Sequence, residues 1–167
     1  ERVLCNESGG VQDQIAAAFG GLNRINFNAD GYEVNPVIIS PERKAQLNNN
    51  LMLFFTGFSR FSSDIQQTTE KALVDKQKQL LEMLSLVDDA EKVLTTKTDL
   101  NEFGRLLDYT WKLKRGISNR ISTDSIDGLY AKGIEAGALG GKLLGAGGGG
   151  FLLFYVEPDK QEHVRKA

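Results

Sequence analysis

The 167-residue chain carries 20 basic and 22 acidic side chains, which gives a formal net charge of −2, and 25% of its residues are charged. Because the two signs are interspersed, we expect neither a nucleic-acid surface nor a polybasic membrane surface. Cys5 is the only cysteine and His163 the only histidine, which excludes an internal disulfide and a histidine-rich zinc site, so no metal-ligating residues are predicted. The expected location is the reducing cytoplasm.

Residues 11–19 predict a short helix between two glycine stops. Alanines at 16–18 favour a helix, and Gly20 is placed to end it. Asp13 falls in the first turn, where the helix dipole favours an ionised carboxylate. The position alone therefore leaves two interpretations of Asp13 open, an acid that complements the dipole and a functional one.

Two strands and a helix are predicted next. The strands cover 24–27 and 32–39 and are joined by an Asp-Gly turn, and the helix starts at Pro41 behind the capping Ser40. A continuous apolar run at 51–56 then predicts a strand that is buried on both faces.

Three helices follow in the prediction. The first covers residues 64–94 and carries an apolar stripe that includes Leu84 and Val87, which we expect to face the core. The second starts near residue 100, and the third spans about 123–140. Together with the separated strands, these helices predict an α+β fold, a two-layer sandwich of the ferredoxin-like type.

Basic side chains lie at two places where a ligand anion could bind. Arg60 follows the apolar strand, and Arg115 and Arg120 flank the loop before the third helix, together with Lys112 and Lys114. Such a cluster suits a phosphate, because guanidinium and ammonium groups donate charge-assisted hydrogen bonds to it. A solvated basic surface is the alternative in both cases.

The most distinctive stretch lies between residues 140 and 156. Apolar residues on both sides predict two strands around a loop that is all glycine except Ala146. Ordering four consecutive glycines costs entropy, which predicts positive φ angles or a very close approach of another backbone or ligand. The N–H groups of such a loop suit a phosphate, whereas a tight hairpin is the structural alternative. The glycines of interest are Gly145, Gly147, Gly148, Gly149 and Gly150.

Two known glycine motifs do not fit this loop. Gly145, Gly147 and Gly150 have the spacing of the dinucleotide fingerprint, but a predicted strand follows them instead of a helix. A P-loop is excluded because no Gly-Lys-Ser/Thr follows the glycines.

Two stretches together resemble the GHMP small-molecule kinases, the superfamily of galactokinase, homoserine, mevalonate and phosphomevalonate kinases. Residues 142–151 resemble its third motif, and residues 10–14 with 19–21 resemble the segment that carries the catalytic aspartate of its sugar kinases. A narrower resemblance, to the bacterial D-glycero-D-manno-heptose 7-phosphate kinases, covers nearly the whole chain and is carried by residues 16–24, 54–60 and 137–142.

This resemblance implies ATP, Mg²⁺ and phosphorylation of the anomeric hydroxyl of a heptose 7-phosphate. It implies that Asp13 takes or orients the proton of the attacking hydroxyl, in a reaction that depends on positioning and charge stabilisation. It also places the loop glycines beside the nucleotide phosphates and the sugar. Gly10 is a weaker substrate candidate, and Arg60, Arg115 and Arg120 are candidates for the 7-phosphate. The expected partners are ATP and a sugar or sugar phosphate, with a homodimer left open.

One part of the family pattern is missing from this chain. The first motif and the main phosphate loop of the family lie upstream of the aspartate segment. We therefore expect residues 1–28 to be the tail of an N-terminal kinase domain, poorly ordered or paired with another molecule, and residues 29–167 to be a C-terminal domain cut near its end. Such a fragment is expected to be inactive alone. The alternatives are a fucokinase-like or galactokinase-like kinase of a neutral sugar, and a non-catalytic ferredoxin-like regulatory module.

Overall fold

The computed structural model describes residues 10–58 and 74–167, so Arg60 and the predicted start of the helix at residue 64 lie outside the described residues. Short 3-10 turns, Val74–Lys76 and Pro158–Lys160, precede the third and the last helix. The elements are, in chain order, α1 Gln12–Phe19, β1 Asn23–Asn28, β2 Gly31–Pro36, α2 Pro41–Asn50, β3 Leu51–Phe55, α3 Gln77–Thr95, α4 Asn101–Arg115, α5 Asp124–Glu135, β4 Gly140–Leu143, β5 Phe151–Tyr155 and α6 Gln161–Lys166.

The strands form two antiparallel sheets, which confirms the predicted α+β class. Strands β1 and β2 make a hairpin that turns between Asn28 and Gly31. The other three strands form one sheet in the order β3-β5-β4, with β5 in the centre. In the described parts of the chain, no helix is long and apolar enough to cross a membrane.

One face of the three-stranded sheet packs against helices α4 and α5. The ring of Tyr130 from α5 stacks on Phe154 of β5 with 5.4 Å between the ring centroids, and Trp111 of α4 lies 6.2 Å from Tyr130. The Tyr130 hydroxyl donates to Asp108 Oδ1 at 2.8 Å. Burial, together with this carboxylate, raises the pKa of Tyr130. These aromatic contacts hold the two helices and the central strand in one core.

A second core cluster joins α2, the end of α3 and the start of α4. It contains Leu94 and Leu100 and includes Tyr155, whose hydroxyl accepts a 2.6 Å hydrogen bond from Asn50. Arg43 of α2 donates to the carbonyls of Leu94 and other residues at the end of α3. Because the last carbonyls of a helix lack intrahelical partners, this arginine satisfies groups that would otherwise be unpaired.

The β1–β2 hairpin is tied to helix α3 by an ion pair. Arg24 of β1 lies 2.6 Å from Asp88 and 2.8 Å from Glu91, both on α3. Exposed ion pairs contribute little to stability, but a guanidinium that contacts two carboxylates restricts orientation. The pairing therefore orients the segment that follows α1 relative to the C-terminal part of the chain.

Helix α4 lies against strand β4 because both carry glycine at the contact. A Cβ atom on Gly140 would lie 1.9 Å from the carbonyl oxygen of Gly104. Real Cβ atoms do not approach that closely, so only a glycine allows this distance. The contact brings the last turn of α4 alongside the end of β4.

Three expectations about burial and boundaries are wrong. Strand β3 is not buried on both faces, since Leu53 and Phe55 are 56% and 60% exposed; only its other face packs on the core. Leu84 and Val87, which were expected to face the core, are also exposed, because α3 buries the neighbouring side that includes Met83. Helix α5 ends at Glu135 and not at residue 140, because the chain adopts a positive φ of 113° at Gly137.

Helix α5 provides a matched pair of glycine substitutions. A Cβ at Gly133 would lie 2.5 Å from the ring of Phe154, whereas a Cβ at Gly128 meets no atom within 4 Å. We expect Gly133→Ala to destabilise the protein by about 1–3 kcal/mol through overpacking. Gly128→Ala should instead stabilise it by about 0.5–1 kcal/mol, because alanine loses less backbone entropy in a helix. Urea unfolding of both variants measures the difference, and equal effects would contradict the described packing of α5.

Candidate functional site

The glycine loop, residues 144–150, connects β4 to β5 and is held by backbone hydrogen bonds from two other segments. The amide of Gly148 donates to the carbonyl of Ile121 at 3.0 Å, and the amide of Gly150 donates to the carbonyl of Phe58 at 2.8 Å. Thr56 completes the second contact, since its amide and its hydroxyl both donate to the Gly150 carbonyl at 2.9 Å. The loop therefore lies between the end of β3 and the segment that precedes α5.

Close packing explains why glycines are needed here. A Cβ at Gly147 would lie 2.6 Å from the Ile121 carbonyl oxygen, and a Cβ at Gly149 would lie 2.6 Å from that of Phe58. The prediction of positive φ angles or close approach is confirmed, but the approaching backbone is the chain's own. A tight hairpin alone would not require glycine at these two positions. Positive φ angles occur at Gly145, Gly147, Gly148 and Gly150.

Part of the loop retains unused hydrogen-bond donors. Among the described residues, no backbone or side-chain acceptor pairs with the amides of Gly147 and Gly149. Open space surrounds the Cα atoms of Gly145 and Gly150, where a Cβ would meet nothing within 4 Å. Unpaired backbone N–H groups in a glycine loop are suited to bind an anion.

Two lysines lie beside the loop. Lys114, in the last turn of α4, donates a 2.6 Å hydrogen bond from Nζ to the carbonyl of Gly145. Lys142, in the middle of β4, is half-buried and makes no hydrogen bond or ion pair to any described residue. Burial lowers the pKa of Lys142. Burial and the charge of Lys142 also lower the pKa of Lys114, to about 8.

Asp13 belongs to the same electrostatic group. It is exposed in the first turn of α1, and its charge opposes the lowering of the pKa of Lys114. Such an interaction requires the two charged groups to lie near one another. Lys114 therefore ties α4 to the start of the glycine loop, and Asp13 of α1 lies within electrostatic range of this lysine. Gly10 is exposed just before α1, where only the flexible side chain of Gln12 lies close to it.

The three arginines that were predicted to bind a substrate phosphate differ in their surroundings. Arg115 already has a carboxylate partner, since its guanidinium lies 3.2 Å from Asp127 of α5. Arg120 is exposed and directly precedes Ile121, the residue whose carbonyl holds the loop. Arg60 lies outside the described residues, two positions after Phe58, the other residue that holds the loop.

Comparison with known proteins assigns this region of the chain to a family. Residues 86–167, which contain the loop and both lysines, match the family described as GHMP kinases C terminal. Residues 86–167 are a GHMP kinase C-terminal domain. This match confirms the GHMP resemblance inferred from residues 142–151, whereas residues 10–14 lie outside the matched range.

Several relatives cover nearly all of this chain but extend well beyond it. A D-glycero-alpha-D-manno-heptose 7-phosphate kinase of Campylobacter jejuni is 36% identical over 95% of this chain and 48% of its own length. The crystal structure of a D-glycero-D-manno-heptose 1-phosphate kinase from Bacteriodes thetaiotaomicron matches 99% of this chain and 44% of its own, at 29% identity and a TM-score of 0.59. Mevalonate kinase of L. major matches 92% of this chain and 46% of its own, with a TM-score of 0.73 but 22% identity, which supports the fold alone. The chain thus spans about half the length of these relatives.

Sequence reasoning did not single out Lys114 and Lys142 as site residues. Lys114 was grouped with a basic cluster, and Lys142 was read as part of a strand. A usable signal existed for Lys142, because a lysine between Gly141 and Leu143 interrupts an otherwise apolar strand of a GHMP domain. The local signal for Lys114 was its basic cluster, which suits a phosphate; its contact with the glycine loop could not be predicted, because that contact depends on how α4 packs against β4.

The contact between the loop and Ile121 can be tested by a matched glycine pair. Gly147→Ala forces a Cβ against the Ile121 carbonyl at a φ of 116°, whereas Gly145→Ala has open space at a φ of 74°. We expect Gly145→Ala to cost about 1–2 kcal/mol from backbone strain alone. Gly147→Ala should cost more, and it should remove the hydrogen-exchange protection of the Gly148 amide. Retained protection in Gly147→Ala would contradict the described contact.

Lys142 should destabilise the GHMP domain at neutral pH. Its pKa is lowered in the folded state, so the cost of the buried charge is fully present below that pKa and disappears as the pH rises above the unfolded value of about 10.4. Lys142→Met should therefore raise Tm by about 2–4 °C at neutral pH, the shift that about 1 kcal/mol gives in a protein of this size. The gain should shrink at alkaline pH. Thermal unfolding followed by circular dichroism measures this change in Tm, and the exposed Lys112→Met is the control. A gain in Tm that does not depend on pH would contradict burial of the charge as its cause.

Proposed function

We propose that the polypeptide containing this chain is an ATP-dependent sugar kinase that phosphorylates the anomeric hydroxyl of D-glycero-D-manno-heptose 7-phosphate. The observation that carries the proposal is that the glycine loop of a GHMP kinase C-terminal domain keeps the amides of Gly147 and Gly149 without an acceptor among the described residues. The heptose substrate is supported by the relative from Campylobacter jejuni, which has 36% identity over 95% of this chain.

Asp13 is proposed to orient the sugar hydroxyl and to accept its proton. Phosphoryl transfer needs little covalent participation by the protein, so a carboxylate that holds the attacking oxygen in line is sufficient. Asp13 is exposed in the described structure and is therefore accessible to a substrate. No described residue forms an ion pair with Asp13, so its carboxylate is available for this role.

The loop is proposed to bind phosphate oxygens of ATP, which supplies the phosphoryl group when bound. The amides of Gly147 and Gly149 have no acceptor among the described residues, and open space adjoins Gly145 and Gly150, so the loop fits such a group. Gly148 is proposed to shape the loop through its bond to Ile121. In the described residues, no group of three or more acidic, histidine or cysteine side chains forms a metal site. Mg²⁺ is proposed as the metal that accompanies ATP.

The residues that we propose to contact the substrate are not equally well supported. Arg120 is the better placed candidate for the 7-phosphate, because Arg115 is paired with Asp127. Arg60 stays a candidate outside the described residues, and Gly10 stays one through its position before α1. The assignment of residues 1–28 to an N-terminal domain and 29–167 to a C-terminal domain also stays a proposal, together with the inactivity of the isolated chain, a homodimer and a cytoplasmic location.

A kinase of a neutral sugar, such as fucose or galactose, is the second candidate. One observation favours it: the arginine that was expected to bind a second phosphate, Arg115, is neutralised by Asp127. A neutral sugar would not need a second basic contact. A non-catalytic regulatory module is the third outcome that the experiment must distinguish.

ATP-dependent phosphorylation by a longer polypeptide that contains this chain tests all three. Heptose 7-phosphate, fucose, galactose and mannose form the panel, and the 167-residue chain is assayed in parallel. We expect activity on the heptose phosphate and a fall in kcat of at least about 100-fold in Asp13→Asn, because a positioned acid or base contributes that much or more. Asp30→Asn, which changes an exposed acid in the β1–β2 turn, is the matched control and should leave kcat unchanged.

Each of the alternative results would change a different part of the proposal. Activity on a neutral sugar alone would replace the substrate but keep the role of Asp13. Activity that survives in Asp13→Asn would remove that role. Absence of phosphorylation of any sugar would favour the regulatory module, and turnover by the 167-residue chain alone would contradict the expected inactivity of the fragment.

A further inference from the structure

The side chain of Lys142 lies on the face of the sheet opposite the aromatic core. On either side of it, Gly141 packs against Phe154 and Leu143 is fully buried, so the alternation of a strand turns Lys142 the other way. It is half-buried, and no described residue neutralises it. A lysine that loses water without gaining a partner is costly, and such groups are rare unless they are paired. The site is therefore incomplete without an anion.

Lys114 adds a second positive charge at the same place. Its Nζ has one acceptor, the neutral carbonyl of Gly145 at 2.6 Å, and this contact is not a counterion. The charges that act on Lys114 are those of Lys142 on β4 and Asp13 on α1. No described residue forms an ion pair with Lys114 or Lys142, so the cluster has an excess of positive charge.

The glycine loop next to this cluster also offers hydrogen-bond donors. The Gly147 and Gly149 amides are unpaired among the described residues, and the carbonyls of Gly145 and Gly150 are already used by Lys114 and Thr56. Ammonium groups with backbone N–H donors suit a tetrahedral oxyanion, whose oxygens accept several hydrogen bonds at once. A neutral sugar hydroxyl would not neutralise the excess charge.

We propose that Lys114 and Lys142 form a two-lysine binding site for a phosphoryl group at the β4 end of the glycine loop. The inference rests on the proposed kinase function and adds two binding residues to it. Lys142 supplies a charge that has no protein partner. Lys114 supplies a second charge and, through Gly145, keeps the start of the loop next to the bound group.

The site predicts how anion affinity depends on pH. Lys114 has a pKa of about 8, with Lys142 and Asp13 as the charged groups that act on it. Affinity for a phosphoryl anion should therefore decrease as the pH rises through and above that value. Lys142→Arg retains a charge that does not titrate in this range and should retain binding.

Inorganic pyrophosphate, titrated into the 167-residue chain at neutral pH and followed by ¹H–¹⁵N NMR, tests the site. We expect the amide signals of Gly147 and Gly149 to shift and the affinity to fall at least about fivefold in Lys114→Met and in Lys142→Met, the loss of one charge-assisted contact. Lys112→Met removes the same charge two residues from Lys114, where it pairs with Asp108, and should change affinity less than about twofold because distant exposed charges are screened.

Several results would overturn the site. Absence of pyrophosphate binding by the unmodified chain, or an equal loss in Lys112→Met, would do so. Because Lys142→Met is expected to be more stable than the unmodified chain at neutral pH, its Tm shows whether lost binding comes from unfolding. Lysine-dependent pyrophosphate binding without kinase activity in the longer polypeptide would retain the site and reject the kinase. Kinase activity with lysine variants that bind normally would reject the site alone.

Discussion

The contact of the glycine loop with two neighbouring backbones is the constraint on which the rest of the site depends. Gly147 lies against Ile121 and Gly149 against Phe58, at distances that leave no room for a Cβ atom. These contacts join β3, the hairpin of β4 and β5, and the segment before α5 at one place. Because backbone atoms are less adaptable than side chains, the loop is held in one position and its unpaired amides with it.

The positive charges of the two lysines beside this loop reduce the stability of the fold. Lys114 and Lys142 are both partly removed from water, and the charge of Lys142 further lowers the pKa of Lys114. The aromatic core of Trp111, Tyr130 and Phe154 is well packed on the other face of the sheet, so the fold does not depend on these lysines. Unfavourable charges of this kind are common at functional sites, where a bound ligand relieves the repulsion.

Local signals in the sequence predicted the described elements well where backbone chemistry determines them. The side chain of Ser40 accepts a hydrogen bond at the start of α2, and Thr123 caps α5 in the same way. Gly20 ends α1 with a positive φ, and the Asp-Gly pair turns the β1–β2 hairpin. Burial was less well predicted, as Leu53, Phe55 and Leu84 show, because an apolar pattern does not say which side of an element another element covers.

The sequence by itself determined the order of the elements, the glycine loop and the family to which the C-terminal half belongs, because caps, turns and motifs are properties of neighbouring residues. Only the tertiary structure decided that the loop glycines pack on Ile121 and Phe58, that Arg115 is paired with Asp127, and that Lys114 contacts the glycine loop. These contacts join residues that are far apart along the chain. They depend on how helices and strands pack, and a local pattern carries no record of that packing.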